Sequence, residues 1–242
     1  MSLLAHTSRV TFEISDRCNL AYAHIACPAH AMRNEPPIFL PIRLIHGVLD
    51  FLHDEGFAGQ LAWHNYNDPM CDPRLLWLID LAAVHVPDAG QYILTNGLNL
   101  NQGMLDLLVS HGITRLWVSA YTDAEEKRTK ALKAPGIDYK VRRFVKLDNR
   151  LTIYDRPESG DQRPCYEPLE NLLIRADGRV GLCCVDWAQT VNYGSLYEKS
   201  LKEILESAEI RDDWQRHTEG KRRHAICKRC RGPRGRQSAP AE

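Results

Sequence analysis

The chain contains eight cysteines, and their placement is the first sign of chemistry. Cys165 precedes a segment that reads Asp177-Gly178-Arg179-Val180-Gly181-Leu182-Cys183-Cys184, and Cys227 and Cys230 follow as Cys-x2-Cys. Soft thiolates from separate chain segments are what an iron–sulfur cluster or a structural zinc requires. Two cysteines separated by two residues can reach one centre from a single tight turn. Ala176-Asp177-Gly178-Arg179 reads as a hairpin turn that sends the chain back toward Cys165. Adjacent strand residues face opposite ways, so one of Cys183 and Cys184 is expected to be a ligand and the other to pack in the core. The residue types alone leave iron–sulfur and zinc both open.

A second constellation is Cys18-x5-His24-x2-Cys27, three metal-ligating side chains within one loop. Two cysteines and a histidine over ten residues also arise by chance, and Cys27 could simply be buried. Cys71 is read mainly as a packing residue. Further polar groups stand at the ends of successive strands: Ser15 to Asn19, His64-Asn65-Tyr66-Asn67-Asp68, Thr95-Asn96-Gly97, Ser119 and Arg156. In parallel α/β sheets and barrels ligands bind at the carboxyl ends of strands. Loop tips are polar in every soluble protein, so only the joint pattern carries weight.

The elements that would position these groups alternate. Strands are expected at Val10–Ser15, Phe57–Trp63, Gln91–Thr95, Thr114–Ala120 and Tyr139–Val145, with a weaker sixth at Leu151–Tyr154. Helices are expected at Pro41–His53, Pro73–Val84, Asn101–Ser110 and Asp123–Lys133. Such alternation implies parallel strands joined by helical crossovers, which suits a partly open barrel or a doubly wound sheet equally. Antiparallel pairing is expected around the Asp177-Gly178 turn, a helix over Ser195–Arg223, and a frayed basic tail in the 230s. The chain of 242 residues has zero formal net charge and a pI near 7.1, so no nucleic-acid or anionic-membrane partner is expected. Its first residues are too short and polar for a signal peptide, and no stretch approaches about 20 apolar residues. A cytoplasmic location is expected, where cysteine clusters read as metal or redox sites rather than disulfides.

These features together resemble the radical S-adenosylmethionine superfamily, in particular members with a C-terminal auxiliary-cluster module of the SPASM or twitch type. The resemblance runs from about Val10 to Cys230. It rests on Cys18-Asn19-Leu20 after a strand, Asn67-Asp68-Pro69 where the family has Gly-Glu-Pro, Thr95-Asn96-Gly97, Trp117-Val118-Ser119, and Cys165 with Gly178-x4-Cys183 and Cys227-x2-Cys230. It implies a partial (β/α)6 barrel of parallel strands over residues 1–156. It also implies a β-hairpin and helix metal-binding module with a flexible basic tail over residues 157–242. Cys165, Cys183, Cys227 and Cys230 would hold an auxiliary [4Fe–4S] cluster. Asn67, Asp68, Asn96 and Ser119 would bind S-adenosyl-L-methionine, and Arg156 would contact a small polar substrate such as a sugar or cyclitol.

The chain departs from the family at the catalytic cluster loop, Cys-x3-Cys-x2-Cys. Counted from Cys18, the expected positions hold Tyr22 and Ile25; counted back from Cys27, the middle place falls to His24. Cys18, His24 and Cys27 would then hold a second [4Fe–4S] cluster, with the higher potential that imidazole ligation brings. Asp68 for Glu keeps a carboxylate on a shorter arm, and Asn67 for Gly adds a side chain. Three readings follow, in this order. The first is a radical enzyme of secondary metabolism, abstracting a carbon-bound hydrogen for oxidation or epimerisation with a reductase or flavodoxin as donor. The second is a relative without the catalytic cluster, using the sulfonium cofactor otherwise or serving as a scaffold. The third is a zinc-stapled structural protein.

Overall fold

The computed structural model describes residues 4–20, 26–144 and 150–231. His24, Tyr22, Ile25 and Val145, and the tail beyond Arg231, lie outside the described residues. The first strand, β1, spans Arg9–Phe12, and α1 follows at Ile42–Asp54. Next come β2 at Gln60–Ala62, α2 at Leu75–His85, β3 at Gly90–Thr95 and α3 at Gln102–Ser110. Then come β4 at Ile113–Ala120, α4 at Asp123–Lys130 and β5 at Asp138–Arg143. These five strands are parallel neighbours in the order β1 to β5.

The helices form for local reasons. In α1 the buried residues Leu44, Ile45, Val48, Leu49 and Leu52 recur every three or four positions and place one stripe on the sheet. Helix α3 starts where the Asn101 side chain accepts the Met104 N–H, and α4 where Thr122 and Glu125 form a reciprocal capping box. The core they close is one continuous cluster that includes Val10, Ile45, Leu61, Ile93 and Leu116.

The C-terminal segment departs from expectation in three ways. Leu151–Tyr154 is no strand: residues Arg150–Asp155 form a 3-10 turn in which only Ile153 is buried. Four residues that alternate apolar and polar cannot by themselves distinguish a strand from a turn. The free flank of β1 is taken instead by β6, Asn171–Ile174, which runs parallel to it in the register Val10↔Leu172. The expected hairpin follows, with β6 antiparallel to β7, Arg179–Gly181, but a further strand, β8 at Asn192–Ser195, extends the sheet to eight strands. The sheet therefore runs across the expected division at residue 156. Finally, the helix expected over Ser195–Arg223 is two helices. Preceded by the short α5 at Glu167–Glu170, α6 spans Leu201–Glu206 and α7 Ala208–Thr218, with Ser207 capping the second; α8 at Ala225–Arg229 comes last. No helix among the described residues is long and apolar enough to cross a membrane.

The junction of the two halves is ionic. Glu13, just past β1, and Arg175, just past β6, are 3% and 1% exposed, with Arg175 Nε 3.0 Å from Glu13 Oε2. Glu13 Oε1 also accepts Asn65 Nδ2 at 3.0 Å and the Tyr66 N–H at 3.2 Å. Breaking one partner of a buried pair strands the other charge and typically costs about 3–5 kcal/mol. Glu13→Ala is expected to lose stability of that order in urea unfolding. Glu126→Ala, which breaks the surface pair with Lys130, should lose no more than about 0.5 kcal/mol.

Candidate functional sites

The strand ends close around a cavity of about 230 Å³. Of the residues the sequence singled out, Cys18, Cys27, Asn67, Asp68, Asn96 and Ser119 all line it, together with His64, Tyr66, Tyr121, Phe144 and Arg150. Asp68 is its anchor. Its Oδ2 accepts Thr95 Oγ1 at 2.8 Å and the Asn96 N–H at 2.8 Å, and its Oδ1 accepts the Met70 N–H at 3.1 Å. Its own N–H donates to the Arg17 carbonyl at 2.8 Å. One buried residue thus pins the ends of β1, β2 and β3 together. Burial raises its carboxyl above the usual range, and the three donors oppose that shift.

Asn96 orients the first thiol. Its Nδ2 donates to Asn19 Oδ1 at 2.6 Å and lies 3.8 Å from Cys18 Sγ. Burial pushes the Cys18 thiol up to about 12 and raises that of Cys27. Cys71 sits beside this loop, and burial pushes its thiol up to about 11, with the nearby Asn19 backbone opposing the shift. His64 accepts the Leu94 N–H at Nδ1, so its proton resides on Nε2, and burial holds the ring neutral, with its pKa pushed down to about 3.

Arg156, expected to touch substrate, is not among the residues that line the cavity, and its carbonyl instead accepts Arg229 Nε at 2.9 Å. The arginine in the wall is Arg150. Its Nη1 donates to the Tyr66 hydroxyl at 3.1 Å, and its carbonyl accepts Trp187 Nε1 at 2.9 Å. The resemblance points to Arg156, whereas the 3-10 turn Arg150–Asp155 places Arg150 against the cavity. Trp187 bears on the cavity through this bond.

The second site lies between the C-terminal helices and the hairpin. Cys165, Cys183, Cys227 and Cys230 line one small cavity with His217 and Arg222. Cys183 faces it and Cys184 does not; the Cys184 carbonyl accepts the Tyr66 hydroxyl at 2.6 Å, which joins the two cavities. The four thiols share this space, and by residue type alone they suit either a zinc ion or an iron–sulfur cluster. His217 was not anticipated: its Nδ1 lies 2.7 Å from the Asp213 carbonyl and so carries the proton, while Nε2 lies 3.4 Å from Cys227 Sγ. Burial pushes the Cys227 thiol up to about 12.

Comparison with known proteins agrees with this geometry. Residues 165–231 match SPASM, the iron–sulfur cluster-binding domain. The chain is 24% identical over 232 residues to the S-adenosyl-L-methionine-dependent 2-deoxy-scyllo-inosamine dehydrogenase of Niallia circulans, covering 92% of each chain. Its fold is similar to that of BtrN in complex with AdoMet and 2-DOIA, with a TM-score of 0.79, 21% identity and 93% of each chain covered. Native anSMEcpe with bound AdoMet aligns with a TM-score of 0.61 and 10% identity, over 92% of this chain and 86% of that one. The iron–sulfur alternative therefore prevails over zinc for the C-terminal cysteines.

A thiol pushed up by burial carries little thiolate, the form that alkylates. In metal-free protein at pH 8.5, Cys18 and Cys227 are expected to react with iodoacetamide about a hundredfold more slowly than a free thiol, as read by peptide mass spectrometry. Equal rates at all eight cysteines would contradict the buried geometry.

Proposed function

We propose that this chain, which joins a SPASM iron–sulfur cluster-binding domain to the fold seen in BtrN, is a radical S-adenosylmethionine enzyme. It removes a carbon-bound hydrogen from a small, polar, multiply hydroxylated substrate. The observation that carries this reading is convergence. Residues from four strand ends (Cys18, Asp68, Asn96 and Ser119) and from the cysteine loop (Cys27) meet in one cavity, which hydrogen bonds link to the four-thiol site.

The bound cofactor would supply a reducible sulfonium and the hydrogen-abstracting radical. The chain's own groups have the remaining tasks. Cys18 and Cys27, with His24 as the candidate third donor, would hold the first cluster. The Asn67 and Asn96 amides and the Ser119 hydroxyl offer donors and acceptors to the amino-acid end of the cofactor. Asp68 presents a carboxylate to its ammonium while keeping three strand ends in register. Arg150, held between Tyr66 and Trp187, would direct a substrate hydroxyl and act in place of Arg156. Tyr92 and Trp117 below, and Tyr121 and Phe144 at the mouth, would exclude water from the reacting carbon. Cys165, Cys183, Cys227 and Cys230 would hold an auxiliary [4Fe–4S] cluster that accepts the second electron, with a reductase or flavodoxin feeding the first.

A second reading has a specific observation behind it. Positions 22 and 25 hold Tyr and Ile where the family loop holds Cys, so the first site can lack a cluster and use the same pocket otherwise. Anaerobic reconstitution separates the two. About eight irons per chain with deoxyadenosine release is expected, falling to about four with Cys18→Ala. Cys227→Ala should lose the auxiliary cluster and much of the folded protein, since ligands of a structural site contribute folding free energy. A wild-type protein that never exceeds about four irons under excess iron and sulfide and releases no deoxyadenosine would leave only the second reading.

A further inference from the structure

Among the described residues, the wall beneath the cavity carries more cations than carboxylates. Strands β4 and β5 run in the register Trp117↔Lys140 and Ser119↔Arg142, and paired residues of a parallel sheet project to the same face. Ser119 and Phe144 line the cavity; Arg142 is paired with Ser119 and is exposed on the same face, next to that lining and not part of it, with Lys140 and Trp117 one step below. The groups are stacked: Arg142 lies 4.3 Å over the Trp117 ring, Lys140 Nζ 4.8 Å from it, and Arg115 5.4 Å from it and 5.6 Å from Tyr92. Tyr92 in turn packs edge-on against His64 of the cavity wall, with ring centroids 4.7 Å apart. A continuous aromatic and cationic surface thus descends from the cavity along the inner face of the sheet.

Among the described residues, three cations stacked here, Arg115, Lys140 and Arg142, stand with one carboxylate, Asp138. That carboxylate is already engaged: Oδ2 takes Arg115 Nε at 2.8 Å and Trp117 Nε1 at 3.2 Å, and Oδ1 lies 3.2 Å from Lys140 Nζ. Arg143, on the opposite face of the same strand, instead pairs with Asp123 at 3.1 Å. A guanidinium stacked on an indole uses its face and keeps its planar fork of N–H donors at the edge, the geometry that grips an oxyanion. We propose that Arg142, seated on Trp117 and backed by Lys140, binds an anionic group of the substrate, a phosphate ester or carboxylate. The hydroxylated carbon skeleton then extends past Ser119 and Phe144 toward Arg150. This inference rests on the proposed catalytic cavity and narrows its substrate to an oxyanion-bearing polyol.

Calorimetry on the anaerobically iron-loaded full chain tests it with glucose 6-phosphate, gluconate and glucose as probes. At least one anionic probe is expected to bind, and glucose to bind at least about tenfold more weakly; which anion wins identifies phosphate or carboxylate. Arg142→Gln should weaken anion binding about tenfold to a hundredfold, Arg142→Lys should restore part of it, and Arg143→Gln should leave it unchanged. Iron content and circular dichroism of each variant report whether the fold is intact. The proposal is overturned if glucose binds as well as both anions, if no anion binds, or if Arg142→Gln binds like wild type. It is also overturned if Arg142→Gln merely induces self-association, which would mark the charges as protection of an edge strand. Binding of S-adenosyl-L-methionine, measured on the same samples, keeps the readings distinct. Cofactor binding without anion binding defeats only this inference, and anion binding without cofactor binding defeats the catalytic one.

Discussion

The buried pair between Glu13 and Arg175 is the constraint on which the rest of the architecture depends. Two opposite charges withdrawn from water are tolerable only when each is held by the other and by further hydrogen bonds. Glu13 supplies its remaining acceptors to the Asn65 side chain and the Tyr66 N–H, and Arg175 reaches the Trp187 carbonyl with Nη2 at 3.3 Å. The pair therefore ties the end of β1 to the end of β2 and to the C-terminal hairpin. Parallel pairing of β1 with β6 sets the backbone, and the ion pair sets how the two strand ends face each other.

From that junction one polar network reaches both cavities. Trp187 donates to the Arg150 carbonyl, Arg150 donates to the Tyr66 hydroxyl, and Tyr66 donates to the Cys184 carbonyl beside Cys183. Every link is buried or half-buried, where hydrogen bonds are stronger and unmet ones costlier than in water. The same residues that shape the first cavity thus hold the turn after β7, which bears a thiol of the second. These hydrogen bonds therefore bridge the first cavity and the neighbourhood of the second.

The first cavity also shows how a candidate binding residue can have a structural duty. Asp68 already accepts three hydrogen bonds from β3 and its own loop. Its carboxylate both positions the strand ends and faces the cavity. Loss of its charge would disturb the site even before any ligand is considered.

Much of this was readable in the chain itself. The helical spacing of Ile45, Val48, Leu49 and Leu52 and the apolar strand cores are local signals, and the elements follow them closely. The spacing of Cys165, Cys183 and Cys227-x2-Cys230 marked a metal site because thiolate chemistry is a property of residue type. Topology decided the rest. A strand at Leu151–Tyr154 and β6 at Asn171–Ile174 have comparable local appeal, but only one could occupy the free flank of β1, and the Glu13–Arg175 pair favours β6. That choice put Arg150 rather than Arg156 in the cavity wall. It also brought His217 against Cys227 and stacked Arg142 on Trp117, through contacts between strands and helices that no short stretch of sequence encodes. Residue type determined what chemistry was available, and non-local packing determined which residues share a cavity, because the distance between side chains is set by the fold and not by their separation along the chain.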